Sequence, residues 1–320
     1  MTEPGGLPAG ERPVRVGVIG VGALGQHHAR VYASLPKARL VGVHDADPSR
    51  AREVVARHGG VVFDRVEALL AEVEAVSIAV PTVDHHRMAR QALAADRDAL
   101  LEKPMTTTLE EADDLIRLAA DRRAVLQIGH IERFNPATDV LRATVRDPRF
   151  IEVHRLASFS ARSLDVDVVL DLMIHDLDIV LALDGSEAVQ IDAVGVPVLT
   201  PRVDIANARI RFASGLIANL TASRVSVDKV RKFRVFSPRT YVSVDFARRE
   251  AQVARLRHGD GGQPEIATEL TSAPDQEPLR RQLAAFLEAV RTRIEPAVPG
   301  RDGRRALALA RAILGRMAEG

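Results

Sequence analysis

Lys103 is a residue whose type and position suit a catalytic role. It lies in the sequence Leu-Leu-Glu-Lys-Pro, which ends a predicted strand. Only four of the 44 basic residues are lysines, and lysine, unlike arginine, can lose its proton inside a protein. The carboxyl ends of strands in a parallel sheet face the ligand crevice, so Lys103 is a candidate catalytic group. A surface lysine that caps a turn is the alternative, and position alone does not separate the two.

A predicted helix at 168–183 carries a second candidate group. Four residues recur at helical spacing on one face: Asp167, Asp171, His175 and Asp178. Apart from Asp176, the other positions of this helix are apolar or alanine, and no lysine or arginine occurs at 163–201. A solvated face of this arginine-rich chain should carry arginine, so the stripe predicts the lining of a cleft. There Asp171 could orient His175 as a proton acceptor near neutral pH.

A glycine-rich turn near the N-terminus predicts a dinucleotide site. Gly20-Val-Gly-Ala-Leu-Gly25 lies between an apolar β-branched run at 14–20 and a helical stretch at 24–35. Glycines here allow a tight turn, approach of a pyrophosphate and close helix packing, and the helix N-terminus attracts phosphate charge. Asp45 ends the second strand, where a carboxylate binds the ribose hydroxyls and repels a 2′-phosphate, so we expect NAD rather than NADP. The residues predicted to contact it are Gly20, Gly22, Ala23, Leu24, Gly25 and Asp45.

The elements that must position these residues predict two architectures. Up to residue 134, short apolar strands alternate with helices, which is typical of a doubly wound parallel sheet. From 135 to 300, longer strands follow one another through hairpin-like turns, which predicts a large antiparallel sheet with helices on one face. The strands expected in this second part are 150–159, 189–198, 204–212, 216–225, 232–236, 241–246 and 251–256. We therefore expect an α/β Rossmann domain at 14–134 and an α+β domain at 135–300.

Composition restricts the class of protein. The 320 residues are 46% hydrophobic and 27% charged, as in a globular protein with two domains. A net charge of +1 gives no reason to expect nucleic acid or an anionic membrane as partner, and no apolar run is long enough for a membrane span. The absence of cysteine excludes disulfides and thiolate nucleophiles. The polar segment 1–13 lacks the apolar stretch of a signal peptide, so we expect a disordered leader and a cytoplasmic protein.

In combination these motifs resemble the glucose–fructose oxidoreductase, inositol dehydrogenase and rhizopine-catabolism (Gfo/Idh/MocA) family. The matching segments are the glycine fingerprint with His28, Pro81-x-x-x-His85-x-x-x-Ala89, Glu102-Lys103-Pro104 and Asp171-x-x-x-His175-Asp176-x-Asp178. The resemblance covers nearly the whole chain. It implies an open antiparallel sheet often used for dimer or tetramer contacts, and a last helix, 301–317, that packs back on the N-terminal domain. It also implies a catalytic group of Lys103, Asp171 and His175, and further contacts to NAD from Val80, Pro81, Thr82, His85, Glu102 and Lys103.

A narrower resemblance, carried by segments 129–136, 168–176 and 221–224, is to the UDP-N-acetylglucosamine 3-dehydrogenases. It implies oxidation of the sugar 3-hydroxyl to a ketone, a product that can feed amide-linked lipid A in bacteria. Arginine forks suit phosphate oxygens, although any one arginine of this chain could be an ordinary surface residue. The candidate substrate residues are Arg133, Asn135, Arg162, Asp178 and Arg224.

These resemblances predict an NAD-dependent sugar dehydrogenase. His175 would accept the hydroxyl proton while Lys103 stabilises the developing alkoxide, and an exchange of these two roles stays open. A dehydrogenase of a free sugar or polyol such as inositol is the alternative enzyme, and a non-catalytic NAD-binding regulator is the alternative from another class. Metal binding by the Asp and His side chains is a further alternative, but a dehydrogenase with a lysine present needs no metal and we expect none. We expect a small-molecule sugar as substrate and a homo-oligomer.

Overall fold

The computed structural model describes residues 12–159, 166–258, 263–272, 274 and 276–319. The chain divides into two compact units. The first contains Met1–His130 and Leu279–Arg304, and the second contains Ile131–Pro278 and Arg305–Gly320. The expected leader at 1–13 lies outside the described residues up to position 11.

The first unit contains a six-stranded sheet in the order β3-β2-β1-β4-β5-β6. Its strands are β1 (Val14–Ile19), β2 (Ala38–His44), β3 (Val61–Val62), β4 (Ala75–Ile78), β5 (Asp98–Glu102) and β6 (Leu126–Gly129). All neighbouring pairs are parallel, which gives the strand order of a Rossmann sheet. Every residue of β4 and β5 is buried, which explains why apolar residues follow one another at 99–101 in β5 instead of alternating with polar ones. The strand order reverses between β1 and β4, where sheets of this kind bind ligands.

Five helices connect these strands. They are α1 (Gly25–Ser34), α2 (Pro48–His58), α3 (Val66–Glu72), α4 (Thr82–Ala94) and α5 (Leu109–Asp121). Helix α2 begins where the Asp47 side chain accepts a hydrogen bond from the Ser49 N–H at 2.9 Å, with proline in the first turn. Helix α5 begins at a capping box formed by Thr108 and Glu111.

Segments from the end of the chain complete the first unit. Arg293 follows helix α8 (Pro278–Thr292), and its Nη1 lies 2.8 Å from both carboxylate oxygens of Asp98 in β5. The Ile128 N–H of β6 donates to the Val298 carbonyl at 2.9 Å. The β6 edge of a sheet formed by the first 129 residues is therefore covered by a residue at position 298, near the other end of the chain.

The second unit contains an eight-stranded sheet in the order β14-β13-β12-β11-β7-β10-β9-β8. Its strands are β7 (Phe150–Leu156), β8 (Ala188–Val196), β9 (Ile205–Phe212), β10 (Ile217–Ser223), β11 (Val230–Ser237), β12 (Thr240–Asp245), β13 (Glu250–His258) and β14 (Pro264–Ser272). The predicted antiparallel arrangement holds except between β7 and β10, which pair in parallel in the middle of the sheet. Edge strand β14 is additional to the predicted strands.

Helices pack on one face of this second sheet. Along β9, buried and exposed residues alternate, and the buried ones join the same core as residues of α6 (Pro136–Thr144) and α7 (Ile174–Asp184). The last helix, α9 (Gly300–Glu319), contributes Leu309, Ala310 and Ile313 to this core. Helix 301–317 was expected to return to the N-terminal domain, and α9 is divided between the two units. Its beginning, up to Arg304, belongs to the first unit, and its residues from Arg305 onward belong to the second.

Candidate active site

The glycine-rich turn joins β1 to α1 in the first unit. Each of its three glycines is explained by a different feature of the structure. Gly20 has a φ of +82°, and a Cβ on it would lie 2.8 Å from the Ala79 carbonyl oxygen. A Cβ on Gly25 would lie 1.8 Å from the Gly20 carbonyl oxygen, so α1 approaches β1 too closely for any side chain there. A Cβ on Gly22 would have Nη1 of Arg50, 3.8 Å away, as its nearest neighbour. The open space in front of Gly22 and the N-terminus of α1 fit a pyrophosphate, so this turn suits a dinucleotide.

Asp45 follows β2 directly and is bonded to the same turn. Its Oδ2 accepts a hydrogen bond from the Val21 N–H at 2.7 Å, and its Oδ1 accepts one from the Asp47 N–H at 2.9 Å. Arg50 of α2 places its Nη1 3.5 Å from Oδ1. This is the position predicted for the carboxylate that binds the adenosine ribose. The other turn residues predicted to contact the cofactor, Ala23 and Leu24, are exposed.

The segment after β4 contains four predicted cofactor residues, which differ in exposure. Val80 and Thr82 are partly exposed and Pro81 is exposed, whereas His85 is buried. The His85 Nδ1 lies 2.8 Å from the Pro104 carbonyl and its Nε2 lies 3.0 Å from the Val80 carbonyl. Burial lowers the pKa of His85 although both carbonyls oppose this, and a neutral ring can donate to only one of them. His85 therefore joins the segment after β4 to the segment after β5, which accounts for it without a contact to cofactor.

Lys103 follows the last residue of β5, at the carboxyl end of the sheet, and is partly exposed. The preceding Glu102 is buried, and its carboxylate accepts a hydrogen bond from the Lys103 N–H at 3.3 Å. Its other oxygen lies 3.3 Å from Nε2 of the buried His28 in α1. Burial raises the pKa of Glu102, but the hydrogen bond from His28 and the nearby positive charges outweigh burial and hold it below its usual value. Glu102 is thus a buried anion that fixes the backbone at Lys103.

Asp171 and His175 lie in the second unit, on the predicted helix but at an irregular part of it. A π-helical turn, Val169–Met173, precedes α7. Such turns are often found at functional sites, because the extra residue redirects the side chains around it. Asp171 and His175 are partly exposed, whereas Met173 and Ile174 between them are buried. Asp171 and His175 are therefore accessible on a helix whose other residues are mostly buried.

The other two members of the polar stripe have structural partners. Asp167 accepts a hydrogen bond from the Val203 N–H at 3.0 Å. Asp178 is 1% exposed and forms a two-point ion pair with Arg133, at 2.7 and 3.0 Å. Asp178 and Arg133 were both candidates for binding substrate. Their charges neutralise each other inside the second unit, because a buried carboxylate needs a counter-ion.

A second buried charge cluster on this helix was not predicted. Arg155 of β7 donates to both carboxylate oxygens of Asp176, at 2.6 and 2.8 Å, and to Oε1 of Glu132 at 2.9 Å. All three side chains are buried. Burial disfavours the positive charge of Arg155, but the two carboxylates outweigh it and raise its pKa, whereas burial raises the pKa of Asp176 in spite of this contact. We call these three residues the Arg155 cluster; since Asp176 follows His175, the cluster anchors the helical turn that carries His175.

The remaining substrate candidates are Asn135, Arg224 and Arg162. Asn135 caps α6 by accepting the Ala137 N–H at 3.1 Å and donates to the Glu132 carboxylate at 3.0 Å. Arg224 donates to the buried Asp204 at 2.8 Å. Burial raises the pKa of Asp204, but hydrogen bonds from Arg224, Thr200 and nearby backbone N–H groups hold it well below its usual value. Arg162 lies outside the described residues.

A diphosphate that binds Arg133 or Arg224 would break a buried ion pair, and this free-energy cost could not be seen from the sequence.

Within the described residues, no three His, Cys, Asp or Glu side chains are grouped so that they could hold a metal ion. No helix of the described part of the chain is long and apolar enough to cross a membrane.

Both parts of the chain match family models. Residues 14–130 match an oxidoreductase family with an NAD-binding Rossmann fold, and residues 138–241 match the GFO/IDH/MocA C-terminal domain.

Full-length relatives agree with these matches. The UDP-N-acetylglucosamine 3-dehydrogenase of Acidithiobacillus ferrooxidans is 44% identical over 299 residues, which are 93% of this chain and 95% of that protein. A solved structure of such an enzyme from the same organism has a TM-score of 0.89 at 42% identity, covering 95% of this chain and 97% of the other. The inositol 2-dehydrogenase of Rhizobium meliloti is 27% identical and covers 96% of this chain and 97% of its own. Levoglucosan dehydrogenase in complex with NADH has the same fold, with a TM-score of 0.85 at 19% identity over 96% of this chain and 98% of its own.

Proposed function

The chain belongs to the Gfo/Idh/MocA family of oxidoreductases, and we propose that it oxidises the 3-hydroxyl of UDP-N-acetylglucosamine to a ketone with NAD. The observation that carries the choice of substrate is the identity to two relatives that both match most of the chain. It is 44% for an enzyme named UDP-N-acetylglucosamine 3-dehydrogenase and 27% for an inositol 2-dehydrogenase.

The first unit would hold the cofactor, which supplies the hydride acceptor when bound. Gly22 leaves the backbone open to the pyrophosphate, and the N-terminus of α1 offers N–H groups and a favourable dipole to it. Asp45 would accept hydrogen bonds from the ribose hydroxyls. Val80, Pro81 and Thr82 would contact the cofactor after β4, where each is at least partly exposed.

The chemical roles are assigned to Lys103, Asp171 and His175. His175 accepts the proton of the 3-hydroxyl, and Asp171 orients its ring and favours the imidazolium that forms. Lys103 donates a hydrogen bond to the same oxygen and stabilises the negative charge that develops on it. Support comes from the residue types, from the partial exposure of all three side chains and from their match to the family pattern. The exchange of Lys103 and His175 as acid and base is the second assignment.

Turnover on a small panel of alcohols tests the proposal. The purified chain is incubated with NAD and either UDP-N-acetylglucosamine, UDP-glucose, free N-acetylglucosamine or myo-inositol, with hydroxylamine present to trap a ketone. We expect NADH to form with UDP-N-acetylglucosamine, and borodeuteride reduction of the untrapped product to place deuterium at C3. The Lys103→Arg variant is the control for adventitious NAD reduction. Turnover of myo-inositol with none on the UDP-sugar would contradict the proposed substrate.

We also propose that the chain forms a dimer or tetramer through the sheet of the second unit. Support comes from β9, whose alternate residues Asn207, Arg209 and Arg211 are exposed on the face that the helices of this unit do not cover. Light scattering of the purified protein measures the mass, and a monomer at micromolar concentration would contradict this part of the proposal.

A further inference from the structure

Asp167 lies just before the π-helical turn of the second unit and is bonded through both its side chain and its backbone. Its Oδ1 accepts a hydrogen bond from the Val203 N–H at 3.0 Å. Its carbonyl accepts one from the Asp171 N–H, also at 3.0 Å. The next residue, Val168, donates its N–H to the Val203 carbonyl at 3.0 Å. Asp167 therefore joins the backbone of Asp171 to the loop that contains Val203.

This loop, which connects β8 to β9 at 197–204, is itself fixed by a buried carboxylate. Asp204 at its end is fully buried. Its Oδ2 accepts the N–H groups of three consecutive loop residues at 2.9, 2.7 and 2.8 Å, namely Val198, Leu199 and Thr200. Hydrogen bonds from backbone N–H groups to a charged carboxylate are strong ones, so the loop is a firm support for Asp167.

Arg224 connects the same loop to the segment before the helix. Its Nε donates to Asp204 at 2.8 Å and its Nη2 donates to Oγ1 of Thr200 at 3.1 Å. Its Nη1 donates to the Val166 carbonyl at 2.8 Å. The guanidinium of this candidate phosphate ligand thus holds the backbone directly before Asp167. We call Asp167, Asp204 and Arg224 the first anchor.

The Arg155 cluster is a second anchor, on the other side of the π-helical turn. Arg155 holds Asp176, which directly follows His175, at 2.6 and 2.8 Å. The π-helical turn lies between the two anchors together with Asp171 and His175. Such turns are rare because α-helical turns are favoured, and a helix that is free at one end could shift by one residue and lose the turn. A segment that is fixed at both ends cannot shift in this way.

We propose that Asp167 is a positioning residue of the active site, which keeps Asp171 where it orients His175 by fixing the start of the π-helical turn. This inference rests on the proposed function, in which Asp171 orients the ring of His175. A displacement of about 1 Å in an active site can lower the rate roughly 100-fold. The effect of Asp167 on the rate should therefore exceed its effect on the stability of the protein.

The first test compares Asp167→Ala with Asp167→Asn in the oxidation of UDP-N-acetylglucosamine by NAD. Asp167 is partly exposed, so both variants should fold. We expect Asp167→Ala to lower kcat by about 10- to 100-fold, with KM for the sugar and the affinity for NADH within about threefold of the wild-type values. Asp167→Asn keeps an oxygen that can accept the Val203 N–H and should keep kcat within about threefold of wild type. A normal kcat in Asp167→Ala would overturn the proposal.

A double-mutant cycle tests whether Asp167 acts through Asp171. In the Asp171→Ala background the group that Asp167 positions is already lost, so Asp167→Ala should change kcat by less than about twofold there. An equal loss of kcat in the wild-type and Asp171→Ala backgrounds would overturn the proposal, because it would show that the effect of Asp167 does not pass through Asp171.

Asp245 provides the matched control in the same unit. It is also partly exposed, and its carboxylate accepts the N–H groups of Ala247 and Arg248 at 3.0 and 3.1 Å, in the turn between β12 and β13. Asp245→Ala should lower the Tm at least as much as Asp167→Ala and leave kcat unchanged. An equal fall of kcat in both variants would overturn the proposal, because the loss of activity would then follow stability. Failure of the wild-type protein to oxidise any of the alcohols would overturn the proposed function, whereas an active wild type with a fully active Asp167→Ala would overturn this inference alone.

Discussion

Replacing Arg155 with methionine should destabilise the second unit far more than replacing an exposed arginine that has an equally short ion pair. Arg155 donates to Asp176 at 2.6 Å, and both side chains are nearly inaccessible, at 4% and 2% exposure. Arg155→Met leaves the Asp176 and Glu132 carboxylates buried without a cation. Removal of one partner of a buried pair costs about 3 to 5 kcal/mol, which is a fall in Tm of about 6 to 20 °C for a unit of this size.

The matched control lies on the adjacent strand. Arg234 of β11 donates to Glu152 of β7 at the same 2.6 Å, but the two side chains are 31% and 33% exposed. Water can solvate both partners, so Arg234→Met should cost about 0 to 1 kcal/mol. Scanning calorimetry measures both variants against the wild-type protein under identical conditions.

The pH dependence of the stability deficit of Arg155→Met shows whether the deficit comes from an unpaired buried carboxylate or from lost side-chain packing. Burial already raises the pKa of Asp176, and loss of Arg155 should raise it further. A raised carboxyl pKa contributes stability that is present at low pH and is lost as the pH rises through the folded-state value. The deficit of Arg155→Met should therefore be largest at neutral pH and shrink toward about pH 5. A deficit below about 1 kcal/mol, or one that does not change with pH, would refute the reasoning.

Three further predictions concern the candidate site. Lys103→Arg should lower turnover by at least roughly 100-fold while NADH affinity stays within a few-fold, because the wider guanidinium replaces a compact ammonium; a rate near wild type would show that only the positive charge matters. His175→Asn should lower turnover by roughly 10²- to 10⁴-fold and abolish the rise of the oxidation rate with pH, since imidazolium cannot accept a proton; a rise that persists would make Lys103 the base. Gly22→Ala should leave the Tm unchanged but weaken NADH binding, whereas Gly25→Ala should lower the Tm because its Cβ would lie 1.8 Å from the Gly20 carbonyl oxygen; calorimetry and NADH titration check both, and equal Tm values would contradict the packing role of Gly25.

The architecture of the first unit could be predicted because its signals are local. A strand that is buried on both faces is rich in apolar residues without alternation, as at 99–101 in β5, and a turn that meets a pyrophosphate must contain glycine. No local sequence pattern shows the function of a side chain whose ion-pair partner is distant in the sequence. Arg133 looked like a phosphate ligand because its carboxylate partner, Asp178, is 45 positions away.

For the Arg155 cluster, the sequence contains part of the information, namely which way the arginine faces. Ile151, Val153 and Arg155 alternate on the buried side of β7, so the strand pattern alone indicated an inward-facing arginine. Its partners could not be predicted, because they lie on two other elements. The π-helical turn before α7 was likewise invisible, since one extra residue in an apolar helix leaves the pattern apolar.

Edge strand β14 was missed for a different physical reason. Its large apolar residues, Ile266 and Leu270, are 73% and 71% exposed. A strand without a buried face in its own unit shows no alternation that a sequence could reveal.

The late segments that complete the first unit impose an order on biosynthesis. All six strands of its sheet have been synthesised by residue 129, but the partner of Asp98 is Arg293 and the partner of the Ile128 N–H is Val298. The ribosome therefore synthesises all strands of the second sheet before the residues that complete the first unit. During that interval the backbone N–H and C=O groups of the β6 edge, which are later covered, are exposed. They can then bind chaperones or pair with neighbouring nascent chains. A chain whose synthesis stops between residues 129 and 293 therefore lacks the residues that cover this edge.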